Sequence, residues 1–340
     1  MGQRTNLEEV GRLAGVSRST VSRVVNGEPN VSVDAIARVK AAIEATGYRP
    51  HAAARSLASK RTGVVGLVIP SAVATLFDDP YFGRLILGAS GATNSLGLTL
   101  TLFLFEQESD EHSIVSRVVD PGLVDGVIVT ATTMGDPLID HLNEAEMPFV
   151  VVGRPDDDSV RFSVDADNRG GARMATKHLI SLGRQRLGMI APPSNTTAGV
   201  DRRLGFVEAI ESSTLDAAGQ IEQGGWTETS GRLAMEQLIE TGVDGVFVGS
   251  DRMALGALQA LRQAGLRCPD DVAVVSFDGL LPTEQASPTL TSVVQDVTEV
   301  GARAALLLKS VIDNEATSAE HVVFPTRLTI GESCGAGAVE

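Results

Sequence analysis

The sequence predicts an α/β protein in two parts, a small all-α head followed by a larger, doubly wound body. Three observations point there. Residues 6–47 carry three short helical patterns punctuated by glycines. From Gly63 onward, short apolar runs alternate with helix-like stretches, the texture of a parallel sheet covered on both faces. The charge also changes sign: residues 1–62 hold ten Lys or Arg against five acids, whereas the whole chain carries −15, leaving −20 for residues 63–340. A basic head on an acidic body suits a head that binds a polyanion.

At 340 residues the chain has room for two or three domains, and its 43% hydrophobic content is that of an ordinary globular protein. No apolar run approaches the roughly 20 residues of a membrane span. Met1-Gly2-Gln3-Arg4-Thr5 leads directly into a polar helical pattern, so no secretory signal is expected. Cys268 and Cys334 are then expected as reduced thiols in a cytoplasmic protein.

In the head, Asn6 followed by Glu9 reads as a capping pair. Leu7, Val10, Leu13 and Ala14 are expected on the buried face of the helix they open. Gly15 breaks that helix and is free to turn left-handed. Ser17 is a second N-cap, and Val21, Val24 and Val25 set the buried face of the next helix, which Asn26-Gly27 ends. A third helix starts near Ser32, buries Ile36, Val39 and Ile43, and stops at Gly47. This is a helix-turn-helix pattern. Opposite the valines, the second helix presents Arg18, Ser19, Ser22, Arg23 and Asn26, two guanidiniums among small polar groups with no acid. Such a face fits a major groove, where Arg reads guanine through two hydrogen bonds; the alternative is a solvated surface helix.

Residues 50–60 form an alanine-rich stretch of about two helical turns, too short to be stable alone in water. Its lone large apolar residue, Leu57, stands among Arg55, Lys60 and Arg61. Spacing fits equally a hinge that folds on DNA with Leu57 wedged into a minor groove, and a linker whose leucine packs on the body.

On two segments the chain resembles the LacI/GalR family of bacterial regulators. They are Leu-Glu-Glu-Val-Gly-Arg-Leu-Ala-Gly-Val-Ser-Arg-Ser-Thr-Val-Ser-Arg-Val-Val-Asn-Gly (7–27) and Gly-Tyr-Arg-Pro-His-Ala-Ala-Ala-Arg-Ser-Leu-Ala-Ser (47–59). The resemblance implies that Arg18, Ser19 and Arg23 face bases, with Ser17, Thr20, Ser22 and Asn26 nearer the backbone. It adds Ala54 and Leu57 of the hinge, Leu57 and its dimer mate prying open the central base step. Gly11 replaces the family's usual alanine, a change expected to lower helix propensity by roughly 1 kcal/mol.

In the body, Val64–Ile69, Leu98–Leu104, Val124–Val129 and Phe149–Val152 form one series of apolar runs, and Arg186–Ile190, Val243–Val248 and Val272–Phe277 a second. Val-Asp-Gly-Val-Ile-Val (124–129) and Val-Asp-Gly-Val-Phe-Val (243–248) are nearly identical and similarly placed, which indicates two halves of like topology. The resemblance implies a two-lobed, periplasmic-binding-protein-like body with three crossings, near Ser163, Thr291 and Val323. The expected organisation is a headpiece over 1–50, a hinge over 51–62 and a body over 63–340. One lobe would be 63–162 with 293–322, the other 163–292 with 323–340.

Ligands in such folds bind beyond the carboxyl ends of strands, in the crevice between halves. The candidates there are Ser71, Asp79-Pro80-Tyr81-Phe82, Arg202, Trp226, Ser250-Asp251 and Asp278. Carboxylate and guanidinium groups pair with hydroxyls, and Trp226 or Phe82 offers a stacking face. Each also fits a structural role, the tryptophan in a core, Asp-Pro-Tyr-Phe as a strand-to-helix turn and the loop aspartates as caps. By the resemblance, Phe82, Arg202, Trp226 and Asp278 align with effector-contacting positions. Ser250 stands where sugar-binding members often have Asn, which weakens the transfer of any particular sugar. The implied function is a homodimeric repressor released from a pseudo-palindromic operator by a sugar or glycoside. A co-repressor reading, with a ligand such as a purine, is the alternative. A tail without leucine heptads favours a dimer over a tail-bundled tetramer.

Two other classes compete. For an enzyme, the chain lacks GxxxxGK[ST], HExxH, GxSxG and a strand–GxGxxG–helix, and its five histidines show no ligand spacing. No catalytic residue, metal or cofactor is therefore expected. A solute-binding protein would account for the body but not for residues 1–60.

Overall fold

The computed structural model describes residues 6–25, 31–48, 61–69, 79–104, 118, 122–130, 133–156, 158–213, 215, 219–281 and 286–337. Asn26, the hinge with Ala54 and Leu57, and Ser71 lie outside them. The chain divides into two compact units, Met1–Val64 with Asp120–Asp125, and the remainder.

The head holds α1 (Leu7–Ala14), α2 (Arg18–Val25) and α3 (Val33–Thr46). The Asn6 side chain accepts the Glu9 N–H at 3.0 Å, and Gly15 closes α1 in the left-handed region at φ 63°. Ser32 caps α3, and Gly47, also left-handed, ends it. The buried faces differ in phase from the sequence expectation. Val10, Gly11 and Ala14 are the buried residues of α1, while Leu13 is 52% exposed. In α3 the buried set is Ala35, Val39 and Ala42, with Ile36 and Ile43 at its margin. Small residues occupy the centre because a three-helix core this small brings the backbones close. A methyl on Gly11 would stand 2.9 Å from the Val16 carbonyl oxygen, so the glycine lets α1 approach the turn.

The body holds two six-stranded sheets of matching order. The first runs β2 (Thr99–Leu104), β1 (Val64–Ile69), β3 (Val127–Thr130), β4 (Phe149–Val152), β5 (Phe162–Ala166), β11 (Glu320–Phe324). The second runs β7 (Gln220–Gln223), β6 (Leu187–Ala191), β8 (Gly245–Val248), β9 (Ala273–Asp278), β10 (Thr291–Val294), β12 (Arg327–Thr329). Pairing is parallel between β5 and β11, and antiparallel between β10 and β12.

The near-identical Val-Asp-Gly-Val segments hold the same place in both orders, and their aspartates do the same work. Asp125 accepts the N–H groups of Thr62 and Gly63 at 2.6 and 2.8 Å. Asp244 accepts those of Gln185 and Arg186 at 3.0 and 2.9 Å. Each carboxylate satisfies backbone donors where the first strand of its sheet begins.

The crossings fall later than expected. Phe162 and Val164 are buried in the first lobe's core, which keeps β5 in the first sheet as far as Ala166 rather than leaving it at Ser163. Likewise β10 stays in the second sheet through Val294, beyond Thr291, and β11 in the first through Phe324, beyond Val323.

Helices α4 (Pro80–Ser95) and α10 (Val297–Ile312) pack against the first sheet over Leu67, Ile69, Leu85, Ile128 and Leu308, and α5 (Pro137–Glu144) connects β3 to β4. On the second sheet, α6 (Asn168–Ser181) and α7 (Thr197–Glu211) cover one face, and α8 (Glu228–Glu240) and α9 (Asp251–Gln263) the other. Paired helices touch through glycine. Gly88 of α4 faces the Thr298 carbonyl and Gly301 of α10 faces the Leu85 carbonyl; Gly231 and Gly256 make the corresponding approach between α8 and α9.

Candidate functional site

In α2, the Ser17 hydroxyl accepts the Thr20 N–H at 3.1 Å and exchanges hydrogen bonds with the Ser19 and Thr20 hydroxyls. Val21 is wholly buried. Arg18, Ser19 and Arg23 are exposed, with Ser22 half-buried on the same side. The nearest acid to Arg18 comes from α1, Glu8 at 3.8 Å, and both side chains are largely in water, where such a pair contributes little. The helix thus presents two arginines and small hydroxyls on a frame held by Val21, with Val24 and Val25 packed beside it.

In the body, the carboxyl ends of the strands converge on a cavity of about 340 Å³ between the two sheets. The first lobe contributes Asp79, Phe82, Thr130 and Asp165, the second Asn168, Thr196, Arg202, Trp226 and Asp278, and the second crossing Gln295. Phe82, Arg202, Trp226 and Asp278, all expected, meet there. Ser250 does not line the cavity: it is buried at the start of α9, where its hydroxyl accepts the Met253 N–H at 3.2 Å. A cap on a helix following a strand has the sequence appearance of a strand-end ligand contact.

Arg202 organises the site. Its Nε donates to Asn168 Oδ1 at 2.9 Å, and its Nη1 to the Gly249 carbonyl at 2.6 Å and Asp278 Oδ1 at 3.0 Å. The guanidinium lies 3.7 Å from the Phe277 ring centroid and 5.5 Å from that of Trp226. Gln295 adds a second donor to Asp278 Oδ1 at 2.7 Å. The Asn168 amide donates in turn to Asp165 at 3.1 Å. A polar chain Asp165–Asn168–Arg202–Asp278 therefore joins β5 of the first sheet to β9 of the second.

Burial pushes Asp278 up to about 7, against the opposing pull of Arg202. Burial likewise raises Asp165 to about 6, offset by its own backbone and side-chain hydrogen bonds and by Arg202. Asp79, raised by burial, caps α4 through the Tyr81 N–H and faces Arg252 at 3.9 Å. Two cavity residues hold left-handed backbones unusual for their types, Trp226 at φ 63° and Asp278 at φ 108°. Trp226 follows β7 and Asp278 closes β9, and both side chains meet Arg202.

Asp165, Asn168 and Gln295 escaped the sequence reading. The signal that could have found them was the alternating Phe-Ser-Val-Asp-Ala of β5, with Asp165 near its carboxyl end. Among the described residues, no group of three His, Cys, Asp or Glu could hold a metal ion, and no helix is long and apolar enough to cross a membrane.

Two family models match the chain: bacterial regulatory proteins, lacI family, over residues 6–51, and a periplasmic binding protein-like domain over residues 176–334. The HTH-type transcriptional regulator CelR of Thermobifida fusca is 39% identical over 97% of this chain and 98% of its own. The ribose operon repressor of Halalkalibacterium halodurans is 31% identical over 98% of each. Among solved structures, a transcriptional regulator CelR–cellobiose complex matches with a TM-score of 0.77 at 37% identity, over 97% of this chain and 100% of the other. The lac repressor dimer bound to operator and the anti-inducer ONPF matches with a TM-score of 0.82 over 98% of this chain and 99% of the other. At 23% identity that likeness speaks to fold alone.

Proposed function

The chain belongs to the LacI family of bacterial regulatory proteins, and from that premise we propose that it is a cytoplasmic, homodimeric repressor released from a pseudo-palindromic operator by a sugar or glycoside. The observation that carries the reading is the extent of the likeness, which runs through head and body alike, over 97% of the chain. Arg18, Ser19 and Arg23 read base edges in the major groove, while Ser17, Thr20, Ser22 and Asn26 hold the backbone. Their exposure on an acid-free helix supports those roles where they are described, and Ala54 and Leu57 complete the set on the resemblance alone.

The effector sits among Phe82, Arg202, Trp226 and Asp278. Groups from both sheets line that cavity, so a ligand favours the lobe arrangement in which both can reach it. If that arrangement separates the first lobes of the dimer, the hinge segments lose their mutual support and operator is released. The CelR–cellobiose complex makes cellobiose the first sugar to try.

The test is operator binding by fluorescence anisotropy with the full-length protein, at several salt concentrations and with cellobiose or other disaccharides. Steep salt dependence and a sugar-induced loss of about 5- to 150-fold in affinity are expected. A chain lacking residues 1–60 should keep sugar binding and lose DNA binding. An intact chain without DNA affinity at low salt sinks the regulator reading.

A further inference from the structure

Besides the three crossings, polar bonds join the two lobes along one side of the cleft. Arg154, two residues past β4 in the first lobe, lines the cleft and reaches Asp201 on α7 of the second. Its Nε and Nη2 donate to Asp201 Oδ2 and Oδ1 at 2.7 and 3.1 Å, a forked pairing, and its Nη1 donates to the Pro155 carbonyl at 3.1 Å. Beside it the Met134 N–H of the first lobe donates to the Asn195 carbonyl of the second at 2.8 Å. The two bonds form one unit, because the Gly135 N–H donates to Asp156 at 2.6 Å and ties the two first-lobe loops together. In the second lobe, Thr196 accepts the Gly199 N–H at 3.1 Å, and a methyl on Gly199 would strike the Pro193 carbonyl. The loop that carries Asn195 is therefore held tight against the start of α7.

We propose that the Arg154–Asp201 clasp is a latch between the lobes, whose release opens the cleft and sets how fast a ligand leaves it. The ligand clause rests on the reading of the cleft as the effector site. The Asp165–Asn168 bond spans only three residues at the first crossing, whereas Arg154 and Asp201 stand on elements either side of it. The other approach of opposite charges across the lobes, Asp79 to Arg252, is longer at 3.9 Å. Neither partner of the clasp belongs to a lobe's core, and the Arg154 side chain is 46% exposed. When the fork lets go, the guanidinium passes to water and keeps the Pro155 carbonyl. A forked, half-wet pair is worth about fivefold in an equilibrium, enough to bias the lobes and small enough for an effector to overcome.

The Met134 N–H bonds across the lobes, so its hydrogen exchange reports their opening without any ligand. Exchange is followed by nuclear magnetic resonance in full-length protein carrying isotope-labelled methionine, for the wild type, Arg154→Gln and Asp201→Asn. Met134 should exchange about fivefold faster in each variant, and in the double variant no faster than in either single one, as a shared bond requires. Met147 and Met253 are the controls. Their N–H groups bond within the first and second lobes, to the Leu142 carbonyl and the Ser250 hydroxyl, and should keep their rates.

A wild-type Met134 without protection overturns the proposal, as do variants that leave its exchange unchanged. So does an equal rise at all three methionines, the mark of general destabilisation. Release of cellobiose, followed in stopped flow by the fluorescence of Trp226 in the cleft wall, gives the second arm. A bound sugar leaves through the open arrangement, so either variant should release it about fivefold faster. An unchanged off-rate overturns the proposal. If cellobiose does not bind, the effector reading loses this sugar and the exchange rates alone decide the clasp.

Discussion

Replacing Arg202 by methionine removes the guanidinium while keeping apolar bulk against Phe277. Three hydrogen bonds disappear, leaving Asn168 Oδ1, the Gly249 carbonyl and Asp278 short of a donor. Breaking a buried ion pair from one side commonly costs about 3–5 kcal/mol, because the remaining charge stays buried and unpaired. Asp278 has an escape. Burial already raises it to about 7, and Arg202 is the chief influence holding it down, so without that arginine the carboxyl stays protonated at neutral pH. The cost at pH 7 should then be about 2–4 kcal/mol, mostly unsatisfied acceptors. It should deepen between pH 7 and 8.5 by up to about 1.4 kcal/mol per pH unit, because the wild-type carboxyl is ionised there and that of the variant is not. Urea unfolding followed by far-ultraviolet circular dichroism at pH 6, 7 and 8.5 measures this. A loss below about 1 kcal/mol, or one independent of pH, would refute the account of Arg202 as the organiser of the cleft.

Other expectations follow from the same geometry. Asp278 has a folded pKa above its unfolded one, so the wild type loses stability from this group as pH rises from about 4 to about 7; Asp278→Asn should gain on it over that window and level off beyond, in urea titrations across pH 4–8. Gly88→Ala drives a methyl onto the Thr298 carbonyl and should cost about 1–3 kcal/mol, whereas Gly91→Ala on the same helix meets open space and should be neutral or mildly stabilising in thermal melts. Ser250→Ala should lower stability by about 1 kcal/mol through loss of the α9 cap and leave sugar affinity unchanged by calorimetry; a lost sugar affinity would return Ser250 to the site. Arg18→Ala should weaken operator binding by about 1–3 kcal/mol in anisotropy titrations, and an unchanged affinity would remove Arg18 from the readout.

Much of the fold is written locally in the chain. Val64–Ile69 and Phe149–Val152 are strands over the whole of the expected runs, because strands buried on both faces are continuously apolar. The head's caps are local too, each a side chain reaching three residues along. What escaped the reading depends on distant partners. Gln-Ile-Glu-Gln of β7 is an edge strand, half-exposed and without an apolar run, and is defined by its register with Leu187–Ala191. The crossings were misplaced because Phe162 and Val164 are claimed by the first lobe's core, a fact held in tertiary packing. The same division holds in the cleft. Asp278 ends an apolar run and could be named as a strand-end residue, and Arg202 and Trp226 could be named by resemblance, but the Asn168 that links Arg202 to Asp165 looked like any residue opening a helix. At Gly11 helix propensity is legible locally, but the closeness of the Val16 carbonyl, which occupies the space a methyl would need, is not.

Three passages between the sheets leave neither lobe as a continuous stretch of chain. As the protein emerges from the ribosome, the first sheet lacks its sixth strand until Phe324 has been made, and the second lacks Arg327–Thr329 until a few residues later. Helix α10, which covers the first sheet, also arrives after all but the last strand of the second. Both lobes therefore complete at nearly the same moment. A message cut short between α10 and β11 yields a product with two unfinished sheet edges, a substrate for chaperones and proteases. Such a truncation cannot leave one sound lobe to hold effector by itself.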